Sequence, residues 1–512
     1  MERASEDHRP PEEQLSDTEE VSRFAELTAA RRAKVVRMRE RGIDPYPARF
    51  ATTHSLAEVR GRWGYLAPGS ESGEDVTVAG RLVAKRGHGK LHFAVLREAG
   101  VDLQLFCDLT MLGSNGIAFL EELDLGDWVG AEGEVMTTRR GELSVRASHI
   151  VLLGKAVRPL PEKYHGLRDV EQRYRQRELD LITNPDSRHA FLIRSKVISA
   201  LRRGLEAKGF VEVETPMLHP TPGGAAARPF VTHHNTLDLD LYLRIAPELY
   251  LKRLIVAGFP RVYELNRSFR NEGISPRHNP EFTMLEAYQA YADYHDMMEL
   301  TEEIVRATTH EAVGTLELSH NGRPVSLAGP WPRRDLLDLV QEGTGRDDVN
   351  YDTPVRELRE LCSAHGVAFE PAWGSGKLVS ELYDKVVEPQ LWDPVFVIDH
   401  PVETSPLARR HRSKSHAVER FELVAAGREL ANAFSELTDP DDQRSRFEAQ
   451  AAARAAGDEE AMAIDETYLA ALEVGLPPTG GLGLGVDRFV MLLADAASIR
   501  DVILFPTLRP SR

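Results

Sequence analysis

The pattern of apolar and polar positions divides the chain into three stretches with different expected structures. Apolar side chains recur at helical spacing over residues 21–41, and Gly42 and Pro45 end that pattern. Between residues 76 and 153, short alternating runs separated by Gly-containing turns predict an all-β region. From residue 190 onwards, helical and extended patterns alternate. The apolar positions of the first helix are Phe24, Leu27, Ala30, Val35 and Met38.

The all-β region has the size and composition of a small barrel. A five-stranded barrel of this length is the expected shape of an oligonucleotide-binding fold. The run Arg-Pro-Leu-Pro at 158–161 predicts a stiff linker at the end of this domain. Its strands are predicted at residues 76–80, 91–96, 103–106 and 143–151.

The third stretch opens with an amphipathic helix. Gly209 ends this helix, and an extended segment at 210–213 runs towards Pro216. The apolar face of the helix is formed by Ile193, Val197, Leu201 and Leu205. Further helices are predicted at 296–310 and 354–365, and a buried strand at 394–400.

The composition is that of a globular protein with more than one domain. A length of 512 residues predicts two or three domains. No apolar run approaches the roughly 18 residues that cross a bilayer, so we expect no membrane partner. Cys107 and Cys362 are far apart and lack metal-site spacing, which fits a reducing cytoplasm and predicts a cytoplasmic location.

The net charge of -17 is unevenly distributed along the chain. Residues 1–20 are acidic and polar, which predicts a disordered tail, whereas residues 21–41 are basic. The basic helix is either a solvated face docked on a neighbouring element or a contact to an RNA backbone. Basic helices are common, so the first interpretation is favoured about two to one from this segment alone. An RNA partner is compatible with the charge; a DNA partner is not expected.

Three short segments resemble known binding motifs but lack the residues or the surroundings that those motifs require. The glycines of 481–485 fall at every second residue, which predicts one bare face of a strand where a ligand or another backbone comes close. The segment Gly-Ser-Gly-Lys at 374–377 lacks the first glycine and the final Ser or Thr of a P-loop. Residues 412–415, Arg-Ser-Lys-Ser, predict a polar loop.

The most informative segment is Phe-Arg-Asn-Glu-Gly at 269–273 followed by Arg-His-Asn-Pro-Glu-Phe-Thr-Met-Leu-Glu at 277–286. We expect a strand carrying Arg270, a loop, and a return strand carrying Phe282. A planar guanidinium suits simultaneous contact with phosphate and carboxylate, and an aromatic ring can stack on a purine. For any single residue here a surface ion pair is the commoner explanation. The order of the whole segment argues against chance.

With four further motifs, this segment resembles the class II lysyl-tRNA synthetases, and the likeness extends from about residue 21 to Pro510. The resemblance implies an α+β protein: an antiparallel-sheet class II catalytic domain, flanked by helices and preceded by an all-β OB-fold barrel that binds the anticodon. It also implies a homodimer, because 193–216 matches the family's first motif. The additional motifs lie at 223–230, 244–252, 405–410 and 481–488.

The expected domain boundaries follow from the same resemblance. They are a disordered acidic tail at 1–20, an N-terminal helical extension at 21–70, an OB-fold anticodon-binding domain at 71–157, a linker at 158–185, and a catalytic domain at 186–512 with a helical insertion around 310–385.

The resemblance implies a nucleotide site in which Arg270 and Arg488 are the catalytic residues. Arg270 would hold the ATP α-phosphate and the lysine carboxylate, and Arg488 would sandwich the adenine and reach the γ-phosphate. Glu422 and Glu429 would coordinate Mg²⁺, for which carboxylate oxygens are suitable hard ligands. The other nucleotide contacts would be Glu272, His278, Asn279 and Phe282, the last stacking on the adenine.

The implied amino-acid pocket has carboxylates at both ends, as the two ammonium groups of lysine require. A buried carboxylate rejects uncharged analogues because they would leave it desolvated and unpaired. An aspartate-specific relative would need a cation in place of Glu436. Gly224 and Glu248 would take the α-amino group, Glu436 with Tyr288 and Glu286 would surround the ε-ammonium, and Asn432 and Phe434 would line the slot.

In the barrel, Phe93 matches a position that stacks on an anticodon base and Gln104 one that reads base edges. Weaker candidates are Lys85, Arg86 and Glu142. The sequence also departs from the family pattern. Glu178 replaces a usual tyrosine in the linker, and Ala431 and Ala433 flank Asn432 where many bacterial members have glycines; we expect their methyl groups to tighten the lysine slot slightly.

The resemblance implies a lysine–tRNA ligase with lysine, ATP and tRNA as partners. The enzyme would form lysyl-adenylate and pyrophosphate, and would then transfer lysyl to the terminal ribose of tRNA. Two alternatives stay open: a lysine-adenylating paralogue with a non-tRNA acceptor, and a non-catalytic RNA-binding paralogue. The retained barrel argues against the first, and the set Arg270, Glu422, Glu429 and Arg488 argues against the second.

Overall fold

The computed structural model describes residues 17–161, 167, 169–455, 457–458 and 460–510. They divide into two compact units, Met1–Arg168 and Asp169–Arg512. Of the acidic tail predicted at 1–20, residues 1–16 lie outside the described residues. The first helix already begins at Asp17, four residues before the predicted start at 21.

The first unit contains a closed five-stranded barrel with strand order β1-β2-β3-β5-β4. All four predicted strands are present. The expectation that 76–153 is all-β is wrong in one place, because the helix α3 follows the third strand and is capped by the Asp108 side chain. The elements are α1 (Asp17–Glu40), α2 (Leu56–Trp63), β1 (Glu71–His88), β2 (Leu91–Glu98), β3 (Val101–Asp108), α3 (Leu109–Glu122), β4 (Trp128–Thr137) and β5 (Leu143–Gly154).

Helices α1 and α2 bury only part of their surface against this barrel. Helix α2 contributes Leu56, Val59 and Trp63 to the barrel core, where apolar burial is the main stabilising contribution. In α1 the predicted apolar stripe holds only towards the C-terminal end. Val35 and Met38 are buried, whereas Phe24 and Leu27 are exposed.

The second unit is built around one large sheet. Its first elements are α4 (Val170–Arg175), α5 (Arg177–Thr183), α6 (Pro185–Ala207), β6 (Val211–Glu212), β7 (Leu218–His219), β8 (Val231–His234), β9 (Leu239–Leu243), α7 (Glu248–Val256), β10 (Arg261–Phe269), β11 (Glu281–Ala290), α8 (Tyr294–Val313), β12 (Glu317–His320), β13 (Arg323–Ser326) and β14 (Arg333–Asp335). Then follow α9 (Leu336–Thr344), α10 (Val355–Ala364), α11 (Ser375–Leu382), β15 (Val395–Ile398), β16 (Arg420–Ala425), β17 (Arg428–Ser435), α12 (Pro440–Ala455), α13 (Glu466–Val474), β18 (Thr479–Gly485), α14 (Val486–Leu493) and α15 (Ile499–Val502).

The large sheet has eight strands in the order β14-β15-β16-β17-β18-β11-β10-β6. The outermost pairings at both edges are parallel and the inner ones antiparallel, which confirms the predicted α+β architecture. The helices predicted at 296–310 and 354–365 are confirmed as α8 and α10, and the buried strand at 394–400 as β15. The segment predicted at 210–213 forms only the two-residue strand β6.

The two faces of this sheet have different characters. One face packs against α6, α8 and α14 in the main hydrophobic core, to which β18 contributes Leu482 and Leu484. Ala431 and Ala433 are buried in that same core. The expectation that their methyl groups tighten the lysine slot is therefore wrong, because in a strand they point away from their neighbour Asn432.

The region around 310–385 combines a hairpin, β12–β13, with the helices α9 to α11 and their own hydrophobic core. The P-loop-like segment 374–377 starts α11. There the Glu403 carboxylate accepts hydrogen bonds from the backbone N–H groups of Gly374, Gly376 and Lys377. The helix N-terminus is thus occupied by a carboxylate of the same chain, as its anion preference allows. Within the part of the chain that the structure describes, no helix is long and apolar enough to cross a membrane.

Candidate active site

A trough crosses the open face of the large sheet because its central strand has no side chains there. In the register of β11, β18 and β17, Gly481 lies between Tyr288 and Phe434. Directly opposed residues of neighbouring strands project from the same face. The next row along the strands contains Glu286, Gly483, Asn432 and Glu422. The alternating glycines therefore leave one face of β18 without side chains, as the sequence predicts.

The space above Gly481 is filled by its neighbours. A Cβ atom added at this glycine would lie 2.6 Å from Cε1 of Tyr288 and would overlap the Glu436 carboxylate. At Gly483 an added Cβ would meet only ordinary contacts, the nearest at 3.4 Å from Met284 Cε. Glycine at 481 is therefore required for Glu436 and Tyr288 to approach the sheet.

Three buried carboxylates meet at one end of the trough, and they belong to Glu248, Glu286 and Glu436. Helix α7 places Glu248 and Lys252 one turn apart, and the Lys252 ammonium donates to Glu248 Oε1 at 2.6 Å. The same ammonium contacts Glu436 Oε2. Glu436 Oε1 has no hydrogen-bond partner among the described residues. Glu286 accepts a hydrogen bond from the Tyr288 hydroxyl at 3.2 Å.

The charges of this cluster do not balance. Among the described residues, Lys252 is the one cation that forms an ion pair in this cluster, and it contacts Glu248 and Glu436 but not Glu286. Burial, and after it the charge of Glu248, raises the pKa of Glu286 to about 8. Burial also raises the pKa of Glu436 well above its usual value, although Lys252 opposes this. The pKa of Lys252 is raised because Glu248 and Glu436 outweigh its desolvation. The site therefore favours additional positive charge.

Gly224 and Phe434 complete the surroundings of this cluster. Gly224 has a φ of 89°, in the left-handed region, and a Cβ there would lie 3.1 Å from Cβ of Ala246 and 3.5 Å from Cβ of Glu248. Its backbone thus closely approaches Glu248. The Phe434 ring lies under the Lys252 ammonium, 5.4 Å from ring centroid to Nζ. All seven residues predicted for the amino-acid pocket thus lie in or beside the trough.

A second cavity adjoins the trough and gathers the residues predicted for the nucleotide. The Arg270 guanidinium lies over the Phe282 ring at 5.1 Å, and its Nε is buried without a hydrogen-bond partner among the described residues. Burial lowers the pKa of Arg270, which nearby carboxylates only partly offset. A guanidinium with a buried, unpaired donor is suited to an anionic ligand. Residues of the prediction that line the cavity are Arg270, Glu272, His278, Asn279, Phe282, Glu429 and Arg488.

Two of these residues, His278 and Asn279, have side-chain partners near the loop between β10 and β11. Nδ1 of His278 lies 3.0 Å from the Ser275 hydroxyl, and burial followed by the charge of Arg488 lowers the His278 pKa. The Asn279 amide donates to the Glu281 carbonyl and accepts from the Thr507 N–H. Asn279 therefore also fixes the loop, and its contact to a nucleotide stays a prediction.

Glu422 and Glu429 each face an arginine. Glu422 Oε1 accepts from Arg420 at 2.7 Å, and Glu429 Oε2 accepts from Arg488 at 3.0 Å. No group of three or more potential metal ligands occurs in the described ranges. Mg²⁺ is commonly bound by one or two carboxylates together with substrate phosphates. The two glutamates fit that donor set, with the phosphates supplying the remaining oxygens.

Two functional positions of this site were missed in the sequence. Lys252 stands four residues after Glu248 in the motif 244–252, so the spacing of a helical ion pair was available as a signal. Glu388 accepts a hydrogen bond from the backbone N–H of Glu429 at 3.0 Å. Burial and the charges of Glu422 and Glu429 raise the pKa of Glu388 to about 7. No local pattern marks Glu388, because it follows a helix that is distant in sequence from β17.

The barrel has a groove of its own on β1, β2 and β3. Phe93 packs edge-on against Phe106 at 5.5 Å, and Arg86 lies over its ring at 5.4 Å. Gln104 is buried and donates to the Ser144 hydroxyl at 2.9 Å. Lys85, one of the weaker candidates, lies outside this groove. Its ammonium donates hydrogen bonds to carbonyl groups at the C-terminal end of α3, so these contacts within the protein already use its donors. The residues lining the groove are Arg60, Ala84, Arg86, Phe93, Val95, Asp102, Gln104 and Glu142.

Substitution of Gly481 by alanine tests the geometry of the trough. We expect Gly481→Ala to lower the free energy of unfolding by about 1–3 kcal/mol, because its methyl group overlaps buried neighbours. Gly483→Ala is the matched control and should change it by less than about 1 kcal/mol. Thermal unfolding of both variants measures the difference. Equal melting temperatures for the two variants would contradict the packing described.

The raised pKa of Glu286 predicts a pH-dependent affinity for a diammonium ligand such as lysine. At a pH below about 8, Glu286 is protonated when no ligand is bound. Binding of the ligand ammonium requires the ionised carboxylate, so Glu286 must release this proton. Affinity should therefore fall as pH decreases from 8 to 6.5, by up to about tenfold per unit for one released proton. Calorimetry in buffers of different ionisation enthalpy counts the protons released. The Glu286→Gln variant should release fewer protons on binding the ligand. If the affinity of the unmodified chain does not depend on pH, the coupling between Glu286 deprotonation and ligand binding is refuted.

Comparisons with known proteins agree with both units. The family model for class II tRNA synthetases (D, K and N) matches residues 169–509, and the model for the OB-fold nucleic acid binding domain matches residues 76–153. The lysine–tRNA ligase of Carboxydothermus hydrogenoformans is 52% identical over 488 residues, covering 95% of this chain and 98% of that protein. The lysine–tRNA ligase of Bacillus subtilis is 50% identical over 481 residues, covering 94% and 96%. The chain therefore belongs to the class II tRNA synthetases of the D, K and N group, within the family of lysine–tRNA ligases.

Proposed function

We propose that this chain activates lysine with ATP and transfers the lysyl group to the 3′-terminal adenosine of lysine tRNA. The observation that carries this proposal is the unbalanced charge of the buried cluster, in which the ammonium of Lys252 contacts Glu248 and Glu436, while Glu286 has the Tyr288 hydroxyl as its hydrogen-bond partner. Lysine supplies two ammonium groups and one carboxylate. The α-amino group binds near Glu248 and Gly224, and the ε-ammonium binds near Glu436, Glu286 and Tyr288, while Asn432 and Phe434 line the slot.

In the first step the lysine carboxylate attacks the α-phosphorus of ATP. A carboxylate–phosphorus bond forms, the bond to the bridging oxygen breaks, and pyrophosphate leaves. The carboxylate is already ionised, so no general base is required. Arg270 orients the carboxylate and the α-phosphate, because its buried Nε has no partner in the described residues. Phe282 stacks on the adenine, and Arg488 contacts the adenine and the γ-phosphate.

Glu422 and Glu429 would hold magnesium in this proposal. Bound there, the ion supplies electrostatic stabilisation of the phosphate oxygens. Each carboxylate contacts its arginine through one oxygen, so the other oxygen would be available to the metal. Glu272 and His278 contact the nucleotide from the loop between β10 and β11, and Asn279 stabilises that loop.

In the second step the ribose hydroxyl of the tRNA attacks the lysyl carbonyl and AMP leaves. The barrel supplies tRNA recognition, with Phe93 stacking on an unpaired anticodon base and Gln104 contacting a base edge. Stacking of this kind is worth about 1–3 kcal/mol per base. The groove argues against the alternative of a non-tRNA acceptor, since such a paralogue has no use for it. The intact charge constellation argues against a non-catalytic binder.

We place the protein in the cytoplasm, where its two unpaired cysteines would stay reduced. We also propose that it is a homodimer. Helix α6 and the segment that follows it expose several large apolar side chains, as an interface requires. These are Leu192, Val211, Met217, Leu218, Val231, Leu237 and Leu239, each between 43% and 66% exposed.

The function is tested by amino-acid-dependent ATP–pyrophosphate exchange followed by tRNA charging. We expect exchange with lysine alone among the amino acids, and charging of lysine tRNA. Arg270→Ala should reduce exchange by roughly 100-fold or more, because it removes transition-state charge stabilisation, while the melting temperature stays the same. Arg267→Ala is the control, because Arg267 lies three residues earlier on β10, is half-buried and faces Glu281 at 3.7 Å. Near-full activity of Arg270→Ala would overturn its assignment; exchange without charging would indicate the non-tRNA paralogue, and no exchange the non-catalytic binder.

The homodimer is tested by the mass in solution. Light scattering at micromolar concentration should give twice the 57.2 kDa of the chain. Val231→Glu, which places a charge in the exposed apolar surface, should shift the mass towards the monomer. A monomeric mass for the unmodified chain would refute the dimer.

A further inference from the structure

We propose that Arg60, on helix α2, contacts a phosphate of the unpaired anticodon nucleotide that stacks on Phe93. This inference rests on the proposed function of the barrel groove. It extends RNA recognition into a helix that precedes the barrel in sequence. Arg60 lies in the groove together with Phe93 and Gln104, although the sequence assigns its segment to the helical extension.

The position of Arg60 is fixed by the way α2 is held. A capping box between Ser55 and Glu58 closes the N-terminus of the helix. Leu56, Val59 and Trp63 are buried in the barrel core. An eight-residue helix anchored by three buried side chains has little freedom to rotate, so residue 60 stays on the groove side.

The contacts of Arg60 leave part of its guanidinium available. Its Nε donates to the Asp102 carbonyl, and Nη2 donates to Glu142 Oε1 at 3.2 Å. Nη1 has no hydrogen-bond partner in the described part of the chain, and the side chain is 41% exposed. A guanidinium carries five N–H donors in a fixed plane, so it can keep these contacts and still bind a phosphate oxygen.

The remaining groove residues favour a nucleotide over a peptide. Arg86 lies over one face of the Phe93 ring, which leaves the other face for stacking and adds a second guanidinium to the groove. Asp102 is neutralised by a two-bond contact with Arg97. An aromatic ring flanked by arginines is the arrangement by which proteins bind unpaired nucleotides, the ring taking the base and the cations the backbone.

Arg62 provides a matched control on the same helix. It lies two residues away, pairs with Glu74 at 2.9 Å and stacks over Trp63 at 4.6 Å. It is absent from the groove lining. Substituting it removes the same charge from the same helix without touching the proposed site.

The experiment compares the variants Arg60→Ala, Arg60→Lys and Arg62→Ala in two assays. The first measures the KM for tRNA in tRNA charging, and the second measures lysine-dependent ATP–pyrophosphate exchange without tRNA. Arg60→Ala should raise the KM for tRNA about tenfold and leave exchange and melting temperature unchanged. The slope of log KM against log salt should fall by about 0.7, as for one lost phosphate contact to a single strand. Arg60→Lys, which keeps the charge, should retain the slope and recover part of the affinity. Arg62→Ala should behave as the unmodified chain.

Phe93→Ala separates failure of this inference from failure of the proposed function. If Phe93→Ala raises the KM for tRNA and Arg60→Ala does not, the Arg60 contact is refuted and the groove stands. If neither changes it, the groove is not the anticodon site. Loss of exchange or of thermal stability in Arg60→Ala, or an unchanged salt slope, would show a structural role and overturn the phosphate contact.

Discussion

The bare face of strand β18 is the constraint on which the candidate site depends. A central strand ordinarily carries side chains on both faces. On one face of β18, Gly481 and Gly483 carry none, which leaves an open row between β11 and β17. Glu436 and Tyr288 occupy the space where a methyl group at 481 would project. The opposite face of the same strand carries Leu482 and Leu484 in the main core. One strand thus anchors the sheet with one face and opens a ligand trough with the other.

Placing carboxylates in this trough has an energetic cost that the ligand can offset. A buried carboxylate without enough positive charge is destabilising, and it takes up a proton when no cation is present. Lys252 supplies one ammonium to Glu248 and Glu436, which offsets part of their negative charge. A ligand with two ammonium groups can supply the missing charge, whereas an uncharged analogue leaves the deficit in place. Affinity and specificity then have the same physical origin.

The sequence predicts the parts of this structure that depend on local periodicity. The four-residue spacing from Ile193 to Leu205 predicts a helix, and these residues lie in α6. The alternating glycines predict a strand with one bare face, and they lie in β18. Helix α3 was not predicted, since its Gly113 and Gly116 obscure the helical pattern within a region of strands. The positions of Lys85 and Ala431 were misjudged because sequence spacing does not say which neighbour a side chain meets. Glu388 was missed for the same reason, its partner Glu429 being 41 residues away.

The site is built to position charge rather than to transfer protons. Lysine enters with an ionised carboxylate, so acceleration of the first step depends on where positive charge is held. Arg270 is half-buried, and its Nε is buried without a partner in the described residues, so this donor has lost its water before any ligand arrives. A donor that is already desolvated and fixed needs little reorganisation as charge develops on the α-phosphate, and this preorganisation is the main source of stabilisation in such sites. The Arg270 guanidinium lies over the Phe282 ring, and the same ring lines the cavity that we propose for the adenine. In the proposed complex, the orientations of the nucleotide and of the arginine would therefore be coupled through one aromatic side chain.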